Sequence, residues 1–439
     1  MRTNVSSLFD KEKEMTEMKN YAIIGFGCAG YHAAKALRKN DPDGRIVVYS
    51  DTADPPFNPM LSTYYASDAL PLEGTFPFGS MEEIVKDFQL ELHSETEAVH
   101  VDAAKKEIEL ADGTRERFDS ILVATGASAV VPASLTENAG RLFLMRTLKD
   151  AQNLRDYIEK ENVKSAVVIG ASMAGIKTAE IFYRKGIPTT LIDGASGLLP
   201  LAAYPDVAAM MQAKLSDLGI AQIYNAQVAA IRSNTIELSD GRTLEADCIC
   251  LCIGVHANIQ LVANTKAVEG TEIKIGKGII VNEQMQTNVP GIFAAGDCCE
   301  GKNLQTGETS VIGLWANAGA QGECAGKNMA GKEAVYYGNI LHNITHFMDM
   351  DFISLGDISL PGEHRRFTGK DFLVEVCMDA GRLNSINIFG QYRISGILKS
   401  HLTKRLLHGE STLTPAQRGM LLAEGLPAEL INLLGDKES

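Results

Sequence analysis

The chain has no C-x-x-C pair, a single tryptophan, no long apolar run and fewer basic than acidic residues. Each shortage removes a class of function. The eight cysteines stand at 28, 248, 250, 252, 298, 299, 324 and 377, spacings that give little support to zinc or iron–sulfur ligation. Without an apolar run of membrane length or a signal peptide, neither a membrane span nor export is expected. A cytoplasmic protein with reduced thiols is the reading that remains. Lys and Arg total 41 against 55 Asp and Glu, a formal net charge of −14. A nucleic-acid binder needs a basic face, so no nucleic-acid partner is expected, and the acidity serves solubility.

What is present is a large globular chain. Its 439 residues suffice for two or three domains, and 45% of them are hydrophobic. The first 18 residues are polar and charged and read as a disordered extension. Tyr21 to Gly25 is then a short apolar strand, followed by Gly25-Phe-Gly27-Cys-Ala29-Gly30 and a helical run. A second strand, Arg45 to Tyr49, ends at Ser50-Asp51. In such a unit Gly25 permits a tight turn and Gly27 lets the backbone approach a pyrophosphate. Gly30 lets the helix pack on the sheet, and Asp51 is placed for an adenosine ribose.

The same grammar returns after a charged helical connector, Leu148 to Glu161. Ala166 to Ile169 is a strand, and Gly170-Ala-Ser172-Met-Ala-Gly175 opens a helix that leads to a strand ending at Asp193. Asp193 should accept from a 2′-hydroxyl and repel a 2′-phosphate, which favours NADH over NADPH. Between the two units, alternating residues around Asp112-Gly113 suggest antiparallel strands, closed by the buried strand Ser120 to Ala124 and then Thr125-Gly126. A similar strand, Asp-Gly turn, strand pattern runs from Ile236 to Gly254, and Cys248, Cys250 and Cys252 share one face there as buried thiols. DPPFNPMLSTYYASDALP reads as a loop, and Lys274 to Val281 as a hairpin. Thr287 to Gly331 then gives a strand, a tight Gly296-Asp297 turn and a helix opening near Trp315. A carboxylate there can hold a ribose or ribityl hydroxyl, with a helix N-terminus behind it.

The expected fold is α/β. Two Rossmann-like βαβ dinucleotide-binding domains are present, one inserted in the other, with a C-terminal α+β interface domain. The first domain takes 19–145 and 266–340, the inserted one 146–265, the interface domain 341–410 and a helical tail 411–439.

This order of motifs resembles the flavin-dependent pyridine nucleotide oxidoreductase superfamily: G-x-G-x-x-G, ATG, a second glycine loop, GD, then W-x-N-A-x-x-Q-G. PPFNPMLS is similar to a P-Y-x-R-P-x-L-S stretch of NADH:rubredoxin reductases, NADH oxidases and nitrite reductase flavin domains. The resemblance implies FAD on Gly25, Gly27, Ala29, Gly30, Asp51 and Ser62. It also implies Thr125 and Gly126 lining the flavin, Gly296-Asp297 on its ribityl chain, and Trp315 near its ring. NAD(H) would lie on Gly170, Ser172, Gly175, Asp193 and Gly254, and the third region would serve a homodimer. The implied activity is hydride transfer from NADH to flavin N5, then electron transfer to a small carrier of ferredoxin or rubredoxin type. An NADH oxidase, a reductase component of a larger complex, or an NADH-sensing flavoprotein are the alternatives.

Two departures matter. Residues 52 to 80 contain no Cys, where disulfide reductases of the superfamily carry a redox pair. Relatives also often pair a Lys after L-S with a Glu in the second glycine-loop helix, and here those positions are Thr63 and Lys177. Lys177 is therefore the expected catalytic residue, a lone cation beside N5. Two unit charges about 4 Å apart at an effective dielectric of about 20 interact by roughly 4 kcal/mol. Arg393, Lys399, His401, Lys404 and Arg405 form a basic run that would dock an acidic carrier.

Overall fold

The computed structural model describes residues 18–263, 272–369, 372–390, 393–409 and 411–434. The expected disordered extension falls almost wholly outside them. Strand β1 (Asn20–Ile24) is buried along nearly its whole length, as a central parallel strand must be. It runs into helix α1 (Cys28–Asn40), and the chain returns through β2 (Arg45–Tyr49). β2 pairs parallel with β1, Ala22 facing Val47. The segment read as a loop is partly helical: a 3₁₀ turn at Pro59–Leu61, capped by the Asn58 side chain, leads into α2 (Ser62–Ala66). Proline at the first helical position costs no hydrogen bond there, so PPFNPMLS can start a helix. Strand β3 (Leu90–His93) joins the parallel sheet beside β2. An antiparallel ribbon follows, with its turn at Asp112-Gly113, and then β4 (Ser120–Val123) beside β1.

The second sheet contains β5 (Leu142–Phe143), β6 (Ala166–Ile169), β7 (Thr189–Ile192), β8 (Ala221–Ile223) and β9 (Cys248–Leu251), all parallel, in the order β5-β9-β6-β7-β8. Helices α3 (Leu148–Lys160), α4 (Met173–Arg184) and α5 (Pro205–Asp217) cover it. Because β5 pairs with β9, this unit begins upstream of the expected boundary at 146. The two-residue strand is too short for periodicity to show. The first sheet closes with β10 (Ile292–Ala294) beside β4, and helix α6 (Trp315–Met329) packs on α1. The expected hairpin near Lys274 is a single antiparallel bridge, Ile275 to Ile279.

The C-terminal sheet is antiparallel, in the order β11 (His342–Phe347), β12 (Met350–Leu355), β15 (Arg382–Phe389), β14 (Leu373–Asp379), β13 (Glu363–Thr368). Strict alternation gives it two apolar faces. Phe347, Phe352, Cys377 and Phe389 join Phe182 and Met211 of the second unit in one core. Ile353, Val374, Val376 and Ile386 pack under α7 (Ser395–His408), α8 (Pro415–Ala423) and α9 (Ala428–Leu434). The amphipathic tail is thus a packed cover for the sheet.

Candidate active site

The first glycine loop is shaped by what its glycines leave empty. Gly25 takes φ +93°, and a Cβ there would fall 2.4 Å from the Ala124 carbonyl oxygen. A Cβ on Gly30 would fall 2.3 Å from the Gly25 carbonyl oxygen, so only glycine lets α1 start this close to β1. Gly27 is the N-cap of α1. Nothing lies within 4 Å of where its Cβ would stand, and no side chain caps the helix. Backbone N–H groups at an uncapped, open helix start form an anion site. Ala29 is buried against the Gly296 turn, 3.3 Å from where a Gly296 Cβ would stand. Asp51 lies exposed just past the end of β2. Ser62 is buried and donates to the Pro59 carbonyl at 2.7 Å.

Asp297 faces the same region from the other side of the sheet's carboxyl edge. Its Oδ2 accepts from Arg146 Nη2 at 2.7 Å, while Arg146 Nε donates to the Ala127 carbonyl at 2.8 Å. The Gly296 N–H donates to Gln321 Oε1 at 2.9 Å, and Gln321 is 1% exposed. Arg146 and Gln321 both hold the turn, and neither is among the residues the sequence singles out. Gln321 stands in the W-x-N-A-x-x-Q-G pattern, whereas nothing local marks Arg146. Thr125 Oγ1 donates to the Asn258 carbonyl at 2.6 Å, Asn258 Nδ2 returns a bond to the Thr125 carbonyl at 2.9 Å, and the Asn258 N–H reaches the Gly126 carbonyl at 3.0 Å. These bonds zip together the two crossings between the sheets, and Asn258 too carries no local signal.

Trp315 opens α6. Its indole N–H is buried without a protein partner, and its ring stacks on Phe78 at 5.3 Å, which in turn stacks on Tyr31 at 3.8 Å. Cys28 donates to the Trp315 carbonyl at 3.2 Å. Burial, with the Asp297 charge adding to it, pushes the Cys28 thiol up to about 12. Cys298 and Cys299 are also buried, and both donate to backbone carbonyls. Burial pushes both thiols up.

The second loop repeats the design with less space. Gly170 takes φ +108°, and a Cβ on Gly175 would fall 1.8 Å from the Gly170 carbonyl oxygen. Ser172 caps α4, accepting from the Gly175 N–H at 3.4 Å and donating to the Cys252 carbonyl at 3.0 Å. The Asp193 carboxylate receives the Ala171 N–H at 2.6 Å and the Ala195 N–H at 2.7 Å, so it is locked beside the loop. Gly254, φ +122°, has no atom within 4 Å of a Cβ position, an open edge opposite the loop.

Lys177 differs from its expected role as an unopposed charge. It is 4% exposed and ion-paired to Glu180, and it donates to the His346 carbonyl at 3.0 Å. Burial opposes ionisation of Glu180, yet bonds from Lys177 and the Met348 N–H hold its carboxyl below the usual range. The basic run also disperses. Lys399 is part-buried with Nζ 3.0 Å from His342 Nε2, His401 is 3% exposed, and Arg393 pairs with Glu424 at 3.7 Å. The apolar face of α7 turns His401 inward and part-buries Lys399, which a count of charges could not reveal.

The open cradle at Gly27, the uncapped α1, the unpartnered indole N–H and the locked Asp193 suit two dinucleotides. Residues 19–322, more than half of the chain, match the family model described as pyridine nucleotide-disulphide oxidoreductase. The chain belongs to this family. It is an NAD(P)H oxidoreductase whose cofactors are FAD and NAD(H). It is 29% identical over 342 residues to an NADH oxidase of Methanocaldococcus jannaschii, covering 76% of this chain and 75% of that protein. It is 30% identical over 329 residues to the ferredoxin–NAD(+) reductase component of a p-cumate 2,3-dioxygenase system of Pseudomonas putida, covering 73% and 77%. The covalent putidaredoxin reductase–putidaredoxin complex has the same fold, with a TM-score of 0.81 at 21% identity over 95% of this chain and 96% of that one. Among the described residues no helix is long and apolar enough to cross a membrane, and no group of His, Cys, Asp and Glu is arranged to hold a metal ion.

Proposed function

We propose that this flavoprotein oxidises NADH and hands the electrons to a small iron–sulfur or rubredoxin-type protein, with the reverse direction open to the same site. One observation carries the reading: residues 52 to 80 contain no Cys, and all eight thiols of the chain are buried. Electrons then have no redox pair of the disulfide-reductase kind to leave by, since Cys298 and Cys299 are held protonated on backbone carbonyls, and the acceptor would meet the flavin itself. The start of α1, with Gly25, Gly27, Ala29 and Gly30, would hold the FAD pyrophosphate, and Asp51 its adenosine ribose. Asp297 would hold the ribityl chain, with Ser62, Thr125, Gly126, Gly296 and Trp315 around the ring. Gly170, Ser172 and Gly175 would hold NADH, Gly254 would admit its backbone approach, and Asp193 would accept from its 2′-hydroxyl. When bound, the flavin supplies hydride acceptance at N5 and release of electrons one at a time. The protein supplies orientation and a water-poor site. A cytoplasmic location with reduced thiols belongs to this reading.

The similarity to an NADH oxidase keeps oxygen as the second candidate acceptor. Anaerobic stopped-flow at the flavin absorption band separates them. NADH should bleach the band, and a ferredoxin or rubredoxin should restore it rapidly while oxygen and disulfides do so slowly. Fast recovery with oxygen would replace the carrier by an oxidase role. A long-lived NAD-bound reduced form with no fast acceptor would favour an NADH-sensing protein.

A further inference from the structure

Lys177 stands where the three units meet. It lies in the second turn of α4, whose start carries the second glycine loop. Its ammonium sits 4.1 Å from the centroid of the Tyr64 ring, which belongs to α2 of the first unit. It also donates to the His346 carbonyl in β11 of the C-terminal sheet. Its counter-ion Glu180, 3% exposed, accepts the Met348 N–H at 2.9 Å and Arg184 Nη2 at 2.7 Å. The four residues Phe347 to Met350 are the tip of the β11–β12 hairpin, with Met348 at φ 46° and Asp349 at φ 59°. Two consecutive left-handed residues suit a tight hairpin but cost strain without glycine, and they persist when neighbours hold them. Glu180 and Lys177 grip that tip by one backbone N–H and one backbone carbonyl.

From this geometry we infer that the Lys177–Glu180 pair is a positioning latch. It sets the distance between the NADH loop and the flavin unit by clamping α4 to both α2 and the C-terminal hairpin. The inference rests on the hydride-transfer reading. Lys177 and Glu180 neutralise one another at contact, with Arg184 on the other carboxylate oxygen, so the pair acts through placement and not as an unopposed cation at the flavin. A shift of about an ångström in the donor is enough to slow transfer strongly, which is how a latch remote from the reacting atoms would be felt.

The test uses the FAD-loaded protein with Lys177→Met and Tyr64→Leu. Lys177→Met should speed amide exchange at Met348 about tenfold and slow NADH-driven bleaching by about tenfold, while the flavin midpoint potential of the charge-neutral Lys177→Met/Glu180→Gln protein stays that of the parent. Tyr64→Leu, which keeps the ion pair, should slow bleaching less and leave Met348 exchange unchanged. A changed potential once Glu180→Gln is added to Lys177→Met, so that the pair's net charge stays zero, would overturn the latch in favour of direct electrostatics. Unchanged bleaching in both variants, with a parent that bleaches fast, would overturn it as well. Should Lys177→Met fail to fold, bleaching by Tyr64→Leu decides alone. A parent that NADH does not bleach overturns the hydride reading, and the positioning role with it.

Discussion

Arg146 and Asp297 meet at 2.7 Å, joining the linker into the second unit to the turn that would face the flavin ribityl chain. Both side chains are largely shielded, at 25% and 18% exposure. The guanidinium fork also holds the Ala127 carbonyl, so the contact fixes the crossing between sheets as well as the carboxylate.

Truncating that pair should release flavin. Removing one partner of a shielded, hydrogen-bonded charge pair costs about 2 kcal/mol, roughly a 30-fold rise in the FAD Kd. Arg146→Ala and Asp297→Asn should both show it in a flavin-fluorescence titration of the apoprotein. Arg146→Lys should restore less than half, because an ammonium cannot span the two acceptors in a plane. An unchanged Kd in Arg146→Ala would make the contact a feature of the linker alone.

Asp193 should set cofactor preference. Its carboxylate is held by the Ala171 and Ala195 N–H groups and cannot swing away from a 2′-phosphate. Asp193→Ala should lower kcat/KM for NADH and narrow the preference over NADPH by about tenfold or more. Steady-state kinetics with both nucleotides would show it, and an unaltered ratio would move the selectivity elsewhere.

The thiols should be silent. Burial pushes Cys28 up to about 12, and Cys252 and Cys324 to about 11. At pH 8 the thiolate fraction at Cys28 is then on the order of 10⁻⁴. A chromogenic disulfide should therefore titrate almost no thiol in the native protein and all eight after denaturation. One fast native thiol would restore a disulfide-type mechanism.

Acid should loosen the C-terminal unit. Burial, with Lys399 beside it, lowers His342 to about 4 from an ordinary value of 6.5. The unfolded chain takes up that proton first, so the stabilisation is present above about pH 6.5 and is lost as the pH falls toward about 4. The full span is on the order of 3 kcal/mol. Urea midpoints between pH 7 and 4.5 should fall less in His342→Asn than in the parent, and parallel falls would assign the loss to other groups.

Both dinucleotide units were legible because glycine spacing is local: Gly25, Gly30, Gly170 and Gly175 each sit where a Cβ would strike backbone. The strand boundaries followed from runs such as Arg45–Tyr49, reproduced residue for residue. What escaped was mostly contact at long range, together with the i,i+3 pairing of Lys177 with Glu180, which the spacing allowed but did not show to be buried. Lys177 looked like a lone charge because its Glu180 partner, one turn on, had no reason in sequence to turn inward beneath the His346 and Met348 hairpin. Arg146 and Asn258 escaped for the same cause, since their partners lie more than a hundred residues away. The basic run failed in the opposite sense. Its residues are neighbours in sequence, but the periodicity of α7 sent His401 into the core and left Lys404 outside, while Arg393 lies exposed before the helix begins.

Gly322 and Gly326 of α6 lie against α1 so closely that a Cβ on them would fall 2.1 Å and 2.5 Å from the Ala29 and Ala33 carbonyl oxygens. Backbone touches backbone there, with no side chain between to compress or rearrange. The spacing of α1 and α6, on which the proposed flavin cradle would rest, is therefore gauged by bare helix radii. Mutational drift can retune the loops around the two helices, but their separation is held for as long as those two glycines stay.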